Sequence, residues 1–379
     1  MIPYGRQWID EDDIQGVIDV LRSDWITTGP KVDEFEQAVA TFTESKYAVA
    51  VSSGTAALHA AMFAIGIGHG DEVVVPTITF AATANCILYQ GGVPIFADVE
   101  SDTLLIATSD IEEKITSRTK AIIAVDYAGH PADYDALRRI ADKHGILLVA
   151  DACHSIGATY KEGQVGTLAD ISVFSFHPVK HITTGEGGMV LTDNEEYARK
   201  VRLFRNHGIT TDHRQRIEQE TWFYEMVDLG YNYRLSDFQC ALGICQLRKL
   251  PQWIRRRQEI AARYNEAFMD YKYIRPLCVR KNVTPAYHLY VIRLSFDILN
   301  IDKAALFSKL RQEGIGVNVH YVPVHLHPYY QQKIGTKPGL CLVAEKAYEE
   351  ILSLPIFPQM SDNDVDTVIE KITSIIDKA

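Results

Sequence analysis

The stretch ISVFSFHPVKHITTGEGGMVLTD, residues 171–193, holds two short apolar runs on either side of a loop that carries a single lysine. The runs ISVFSF and GGMVLTD are nearly continuous in apolar residues, a pattern typical of strands that are buried on both faces. Lys180 lies between His177 and His181, with Ser175 before it and a glycine pair after it. The loop therefore starts where a predicted strand ends, which is where ligands bind in sheets of buried parallel strands.

Runs of the same kind recur along the first half of the chain. Stretches with the character of helices, such as GTAALHAAMFAIG and ITFAATANCILYQ, separate them. Buried strands that alternate with helices predict a mostly parallel sheet covered by helices, an α/β architecture. The further runs are YAVAVSS (47–53), DEVVVPT (71–77), VPIFADV (93–99), AIIAVDY (121–127) and ILLVAD (146–151).

A change of pattern about two thirds of the way along the chain predicts a second, smaller domain. The stretch 235–268 is typical of a long helix, and Pro251 is expected to break it. Beyond this helix, shorter strands, including GVNVHYVPV at 316–324, mix with helices. We therefore predict a large domain over residues 1–245 and a small C-terminal α/β domain over residues 246–379.

Composition excludes several classes of protein. The formal net charge of −11 argues against a nucleic-acid-binding surface, although a local pocket can still take an anionic substrate. No apolar run approaches the ~20 residues that span a bilayer, and the N-terminus lacks the blocks of a signal peptide. The six cysteines are scattered without a C-x-x-C pair, which predicts reduced thiols in a cytoplasmic protein and no zinc site.

Three predicted strand ends carry polar residues. Gly54 and Thr55 open a helix after the first strand, where free N–H groups and a hydroxyl bind an anion or simply cap the helix. Asp151 ends a buried strand, and such a carboxylate is either functional or paired in a salt bridge at the sheet edge. Ser175 ends a third strand and Lys180 follows it, although a loop lysine is most often a solvated surface residue.

Taken together, the three strand ends indicate pyridoxal phosphate (PLP). All three lie at one edge of the predicted sheet, so a phosphate anchor, a carboxylate and an amine converge there. The amine of Lys180 forms a covalent aldimine with the cofactor aldehyde, and the helix start with its hydroxyls binds the phosphate. The carboxylate of Asp151 keeps the ring nitrogen protonated, so that the ring accepts electrons from a carbanion.

Five motifs, in order, resemble the DegT/DnrJ/EryC1/StrS sugar aminotransferases. They are SSGTAAL, PTITFAATAN, DACH, SFHPVKHITTGEGG and GYNYRLSDFQ, and the resemblance runs from about residue 4 to the C-terminus. It implies a fold-type I PLP-dependent aminotransferase that acts as a homodimer. Some relatives are dehydratases with histidine in place of the lysine, whereas Lys180 matches the lysine of the transaminases. His181 departs from the small residue or proline that is usual there.

The resemblance assigns roles residue by residue. Lys180 matches the Schiff-base lysine, and Asp151 matches the partner of the pyridinium nitrogen. Asn232 matches an asparagine that reaches the phosphate of the other subunit, so each site would need a dimer, and Arg234, in the same loop, is expected to hold the donor carboxylate. The other cofactor-binding positions are Gly54, Thr55 and Ser175 for the phosphate, Phe80 for stacking on the pyridine face, and His154 beside the ring hydroxyl.

A finer resemblance links the opening PYGRQWID and the stretch GVNVHYVPVHLHPYY (316–330) to the PseC-type enzymes of pseudaminic acid biosynthesis. It implies transfer of the amino group of L-glutamate to C4 of a UDP-linked 4-keto-6-deoxy-N-acetylhexosamine, giving UDP-4-amino-4,6-dideoxy-N-acetyl-β-L-altrosamine. The residues expected to bind this substrate are Tyr4, Arg234, His320, Tyr321 and His325. The histidines of this stretch do not have a standard metal-ligand spacing, so we expect no metal.

Other functions remain open from the residues alone. One is an aminotransferase for another nucleotide-linked keto-sugar, acting at C3 or on a different C4 ketone. A second is a PLP-dependent sugar dehydratase or lyase. A third is a regulator that uses this fold to sense a ligand, but the first strand motif begins at residue 47, which leaves little room for a DNA-binding domain.

Overall fold

The computed structural model describes residues 1–378, and a seven-stranded sheet lies at its centre. Its strand order is β1-β9-β8-β5-β4-β2-β3, in which β9 is antiparallel to both of its neighbours and the other six strands are mutually parallel. This sheet confirms the predicted α/β fold. The strands in chain order are β1 Tyr47–Val51, β2 Glu72–Pro76, β3 Val93–Ala97, β4 Thr119–Val125, β5 Leu147–Asp151, β6 Thr159–Tyr160, β7 Gly163–Gln164, β8 Ile171–Ser175, β9 Gly188–Thr192, β10 Ile274–Pro276, β11 Val283–Thr284, β12 Tyr290–Leu294 and β13 Ile351–Leu354.

Helices cover both faces of the sheet and build the C-terminal part of the chain. None of those within residues 1–378 is both long and apolar enough to cross a membrane. The α-helices in chain order are α1 Glu11–Leu21, α2 Pro30–Thr43, α3 Gly54–Ala64, α4 Ala82–Tyr89, α5 Thr108–Lys114, α6 Tyr134–His144, α7 Glu195–Arg205, α8 His213–Glu218, α9 Asp237–Phe268, α10 Lys303–Gln312, α11 Pro328–Lys333, α12 Leu342–Glu350 and α13 Asp362–Ile376.

The sheet is buried on both faces, as the continuous apolar runs predict. In β1, Val49 and Val51 pack into one core with α3, α4 and α7. The alternate residues Ala48 and Ala50 pack into a second core with α2, α6 and the first half of α9. Successive side chains of a strand point to opposite faces, so a strand between two cores must be apolar at every position.

A separate core holds the C-terminal part together. The antiparallel sheet β10-β12-β13 packs against α10, α13 and the second half of α9. The helix α9 runs without interruption from Asp237 to Phe268, so the predicted boundary between residues 245 and 246 falls inside it and stays a prediction. The expected break at Pro251 is wrong. Burial of neighbours such as Leu250 and Trp253 offsets the ~3 kcal/mol that an interior proline costs.

The segment 316–324 does not form the predicted strand. It makes one isolated bridge, between Asn318 and Ser353 of β13, because both partners exchange backbone hydrogen bonds only at that point. Pro323 has no N–H to donate, which limits pairing further along the segment. The segment therefore crosses from the small sheet toward β2, where Val324 N donates to Thr77 O at 2.8 Å.

Candidate active site

A cavity of about 560 Å³ opens at the carboxyl ends of β1, β4, β5 and β8. The sheet edge and the starts of α3 and α4 form one side, and the segment 318–321 with the N-terminal Tyr4 forms the other. Most of the residues predicted for the site lie in this lining. They are Tyr4, Gly54, Thr55, Phe80, Asp151, His154, Ser175, Lys180, His320 and Tyr321.

The start of α3 forms a small cradle at one end of the cavity. Ser53 caps the helix, because its Oγ accepts a hydrogen bond from a first-turn N–H at 3.0 Å. Gly54 leaves no room for a side chain, since a Cβ there would lie 2.8 Å from Ser175 Cβ and 3.2 Å from Cys153 Sγ. Thr55 and Ser175 line the cavity beside this helix start. The open N–H groups and two hydroxyls have the chemistry that binds phosphate.

Asp151 lies deep in the cavity at the end of β5 and is 6% exposed. Thr83 Oγ1 donates to Asp151 Oδ2 at 2.6 Å, and the N–H of Cys153 donates to Oδ1 at 3.3 Å. Thr79 Oγ1 lies 2.7 Å from Thr83 Oγ1 and completes a chain of hydroxyls. These hydrogen bonds fix the orientation of the carboxylate. Neither threonine was predicted to belong to the site, although both lie in the motif PTITFAATAN.

Lys180 lies half-buried in the loop after β8. Among the lining residues that the structure describes, it is the only lysine or arginine. Burial lowers the pKa of Lys180 from its usual value, and the nearby Asp151 opposes that shift. A lowered pKa leaves a larger fraction of the amine unprotonated, which is the form that acts as nucleophile and base.

An aromatic wall faces the sheet edge. Tyr321 Oη lies 3.2 Å from His154 Nε2, and the Tyr321 ring is 6.1 Å from the ring of Phe80. Phe80 is 60% exposed, so its ring face is free for a flat ligand. The Tyr4 and His320 rings are 5.4 Å apart, and Ser353 Oγ lies 2.9 Å from His320 Nδ1. The wall thus joins the N-terminal arm to the small sheet across the mouth of the cavity.

The structure corrects the expectation that His325 binds substrate. Its side chain is fully buried outside the cavity lining. Its Nδ1 lies 2.6 Å from Thr77 Oγ1, and its Nε2 lies 2.9 Å from Glu345 Oε1. The reason is that a short 3₁₀ turn over Val324–Leu326 directs the ring toward the end of β2. Within residues 1–378 no three histidine, cysteine or acidic side chains are grouped to hold a metal.

Asn232 and Arg234 also lie outside the cavity of their own chain. Asn232 is exposed on a segment whose backbone pairs with residues 205–207. The neighbouring Tyr233 points inward, with its Oη 3.1 Å from His59 Nδ1. Arg234 Nη1 donates to Asn206 Oδ1 at 2.7 Å in a separate, arginine-rich cavity of about 430 Å³.

The profile of the DegT/DnrJ/EryC1/StrS aminotransferase family matches residues 7–373. The chain belongs to this family. The spore coat polysaccharide biosynthesis protein SpsC of Bacillus subtilis is 41% identical over 377 residues, which cover 99% of this chain and 97% of SpsC. PseC of Helicobacter pylori, an aminotransferase of pseudaminic acid biosynthesis, has the same fold with a TM-score of 0.94 and 32% identity, and the match covers both chains fully.

A further structural neighbour is described in its PLP form. The sugar aminotransferase Spr1654 of Streptococcus pneumoniae, in its PLP form, matches with a TM-score of 0.93 and 32% identity over all of this chain and 99% of its own. Our chain is thus a PLP-dependent sugar aminotransferase. Its cavity fits PLP on its own geometry, because the free N–H groups and the hydroxyls at the start of α3 suit a phosphate, the exposed face of Phe80 suits a ring, and Asp151 and Lys180 line the same cavity.

One histidine of the lining, His288, was not predicted from the sequence. His288 is 5% exposed and lies with its ring centroid 4.3 Å from that of His154. It lies two residues before β12, a strand of the small sheet. Nothing in the spacing of His288 along the chain relates it to the DACH motif, so only the fold reveals the contact.

Proposed function

We propose that this aminotransferase moves the amino group of L-glutamate to C4 of a UDP-linked 4-keto-6-deoxy-N-acetylhexosamine. The observation that carries the proposal is the wall made of Tyr4, His320 and Tyr321 beside Lys180. This wall is built from the two segments that resemble the pseudaminic acid enzymes. Its aromatic and polar groups suit the ring, hydroxyls and acetamide of an uncharged sugar. A cytoplasmic location stays a prediction.

The chain's own residues would divide the work as follows. Bound PLP supplies an aldehyde that attaches to amines and a ring that takes up an electron pair. Gly54, Thr55 and Ser175 would hold its phosphate, and Asp151 would hold the proton of its ring nitrogen. Lys180 Nζ would remove the proton from the α-carbon of glutamate and later return a proton to C4 of the sugar. The donor product leaves before the sugar enters, so the kinetics are ping-pong.

We also propose that the site needs a second copy of the chain. A diphosphate and a donor carboxylate need cations, and Lys180 is the only lysine or arginine in the described lining. Arg234 lies on an exposed segment with Asn232, outside the cavity that holds Lys180 in the same chain. Just before it, six apolar side chains are more than half exposed, as expected of a face that another chain covers. They are Trp222, Phe223, Tyr224, Met226, Val227 and Leu229.

Mixed dimers test whether Asn232 completes the partner's site. We expect Lys180→Ala and Asn232→Ala, each alone, to have little activity. When equal amounts are unfolded and refolded together, half of the dimers pair one chain of each kind, and each of these has one intact site. About a quarter of wild-type activity should therefore return. If Asn232 served its own cavity, the mixture would stay as inactive as the two parents.

The half-reactions test the proposed donor and acceptor. We expect the visible absorbance of the PLP-loaded protein to bleach when L-glutamate is added. It should return when the product of a 4,6-dehydratase acting on UDP-N-acetylglucosamine follows, with the UDP-amino-sugar detected by mass spectrometry. D-Glutamate is the control and should leave the spectrum unchanged. Bleaching without recovery would contradict the proposed sugar, and no bleaching would contradict the proposed donor.

One comparison favours a second candidate within the same reaction class. The identity with SpsC, a protein of spore coat polysaccharide biosynthesis, is higher than that with PseC. A different nucleotide-linked keto-sugar, acting as precursor of a surface polysaccharide, is therefore the alternative acceptor. This alternative would be established if the absorbance returned with another nucleotide keto-sugar but not with the UDP-linked 4-keto-6-deoxy-N-acetylhexosamine.

A further inference from the structure

Three buried histidines, His154, His288 and His181, pack in a cluster at the cavity wall, with neighbouring rings tilted by 42° and 54°. The rings of His154 and His288 are 4.3 Å apart between centroids, and those of His288 and His181 are 5.6 Å apart. Each is at most 5% exposed. Their three Nδ1 atoms are buried and have no hydrogen-bond partner within residues 1–378. Leaving a buried polar atom unpaired costs ~1–3 kcal/mol, so apolar rings of this size would stabilise the core more.

The histidine cluster reaches from the cavity into the protein interior. His154 and His288 line the cavity, whereas His181 does not. His154 is tied to the aromatic wall through Tyr321, whose Oη lies 3.2 Å from its Nε2. At the far end, His181 Nε2 lies 3.0 Å from the carbonyl oxygen of Ala286. Because a carbonyl only accepts, this nitrogen carries the hydrogen and the tautomer of His181 is fixed.

Two basic side chains, Arg257 and Lys180, lie near the histidine cluster. Arg257 is 1% exposed and donates through Nη1 to the carbonyl oxygens of Tyr287 and Ile356, each at 3.0 Å, which anchors the chain beside His288. Lys180 lies on the cavity side. Burial above all, together with Lys180, lowers the pKa of His154 and His288 well below the usual value, and burial and Arg257 do the same for His181. The imidazoles are therefore uncharged at neutral pH.

We propose that His288 and His181 are positioning residues that hold the His154 ring against the part of the cavity that takes the cofactor ring. The inference rests on the proposed role of His154 at that ring. It follows from the contacts: the tilted ring of His288 packs against the ring of His154, and Tyr321 Oη lies 3.2 Å from His154 Nε2. These polar rings occupy a place where apolar packing would be more stable, which points to a role at the cavity rather than to stability.

A double-mutant cycle on cofactor affinity tests this inference without any substrate. PLP is titrated into the apoprotein of the wild type, His288→Phe, His154→Asn and the double variant, and tryptophan fluorescence gives each Kd. Phenylalanine keeps an aromatic ring at this position, somewhat larger than the imidazole, and removes the nitrogens of His288. If His288 acts through His154, each single change weakens binding about 10-fold, and the double variant is no weaker than His154→Asn alone.

Several outcomes would overturn the inference. A double variant about 100-fold weaker than wild type would show that His288 acts independently of His154. A His288→Phe protein with a lower melting temperature but unchanged Kd would show a purely structural role. His288→Asn repeats the cycle if the phenylalanine variant does not fold. His130→Phe is the matched control, because His130 is also buried but lies outside the cavity. Any effect of this change on the Kd for PLP should simply multiply that of His154→Asn.

Failure of the inference can be told apart from failure of the proposed function. Bleaching by glutamate and recovery with the keto-sugar require the wild-type protein alone, whereas the cycle compares cofactor affinities with no substrate present. A wild-type protein that binds PLP and transaminates, combined with additive effects in the cycle, would overturn the positioning role and leave the function in place.

Discussion

Lys180→Ala should lower the rate of amine transfer by about 10⁴-fold or more, the loss expected when the residue that is both nucleophile and base is removed. Lys180 is the only lysine among the described lining residues, so no other amine of the same chain's lining can take its place. Cofactor binding should survive, because the cradle at Gly54 and the carboxylate of Asp151 do not depend on the amine. The measurement is single-turnover amine transfer, with bound PLP quantified in the same sample.

A chemical readout separates loss of the amine from loss of the fold. Borohydride reduction should fix PLP to the peptide that contains Lys180 in the wild type and to no peptide in the variant, as mass spectrometry would reveal. Lys161→Ala is the control, because Lys161 is an exposed lysine that pairs with Asp135 away from the cavity, and its activity should be normal. Turnover above about 1% of wild type in Lys180→Ala would contradict the assignment.

The sheet and the main chemistry were predictable for a physical reason. A strand covered on both faces must be apolar throughout, so β1, β5 and β8 are visible as unbroken runs. Parallel strands bring their carboxyl ends to one edge, so Gly54, Asp151 and Lys180 were expected to converge, and all three line one cavity. Their roles in binding and catalysis stay predictions that the variants test.

What the sequence did not reveal depends on contacts between distant parts of the chain. Thr83 donates to Asp151 across 68 positions of sequence, and no local pattern relates the two residues. His325 was expected at the substrate, but a turn directs it to Thr77 and Glu345 instead. Pro251 was expected to end a helix by local preference, and tertiary packing outweighs that preference. Side-chain direction in turns and long-range pairing are set by the fold as a whole.

Asp151→Asn should lower the rate of proton removal from glutamate by about 10²- to 10⁴-fold while leaving PLP bound. The amide has the shape of the carboxylate but not its charge, so it cannot hold a proton on the ring nitrogen, and the ring then takes up the electron pair poorly. Exchange of the α-proton of L-glutamate in D₂O, followed by NMR, measures this step without the sugar. Exchange at a near-normal rate would contradict the placement of Asp151.

Two further variants show whether charge or mere burial at Asp151 matters. Asp126→Asn is the matched control, because Asp126 directly follows β4, is fully buried and accepts hydrogen bonds from Ser155 and Tyr134 outside the cavity lining. Burial above all raises the pKa of Asp126 to about 6, so the protein already tolerates its neutral form near that pH. We expect α-proton exchange in this control to stay within about 5-fold of wild type.

Thr83→Val keeps the charge of Asp151 and removes one hydrogen-bond donor to it. The exchange rate of this variant should fall by an intermediate amount, about 10-fold, since a hydrogen bond to a charged group contributes ~1.5–3 kcal/mol. If the site needs a charge held in one orientation, the loss of exchange rate should increase in the order Asp126→Asn, Thr83→Val, Asp151→Asn. If Asp126→Asn were as damaging as Asp151→Asn, the effect would come from disturbing the sheet edge and not from the carboxylate that faces the cavity.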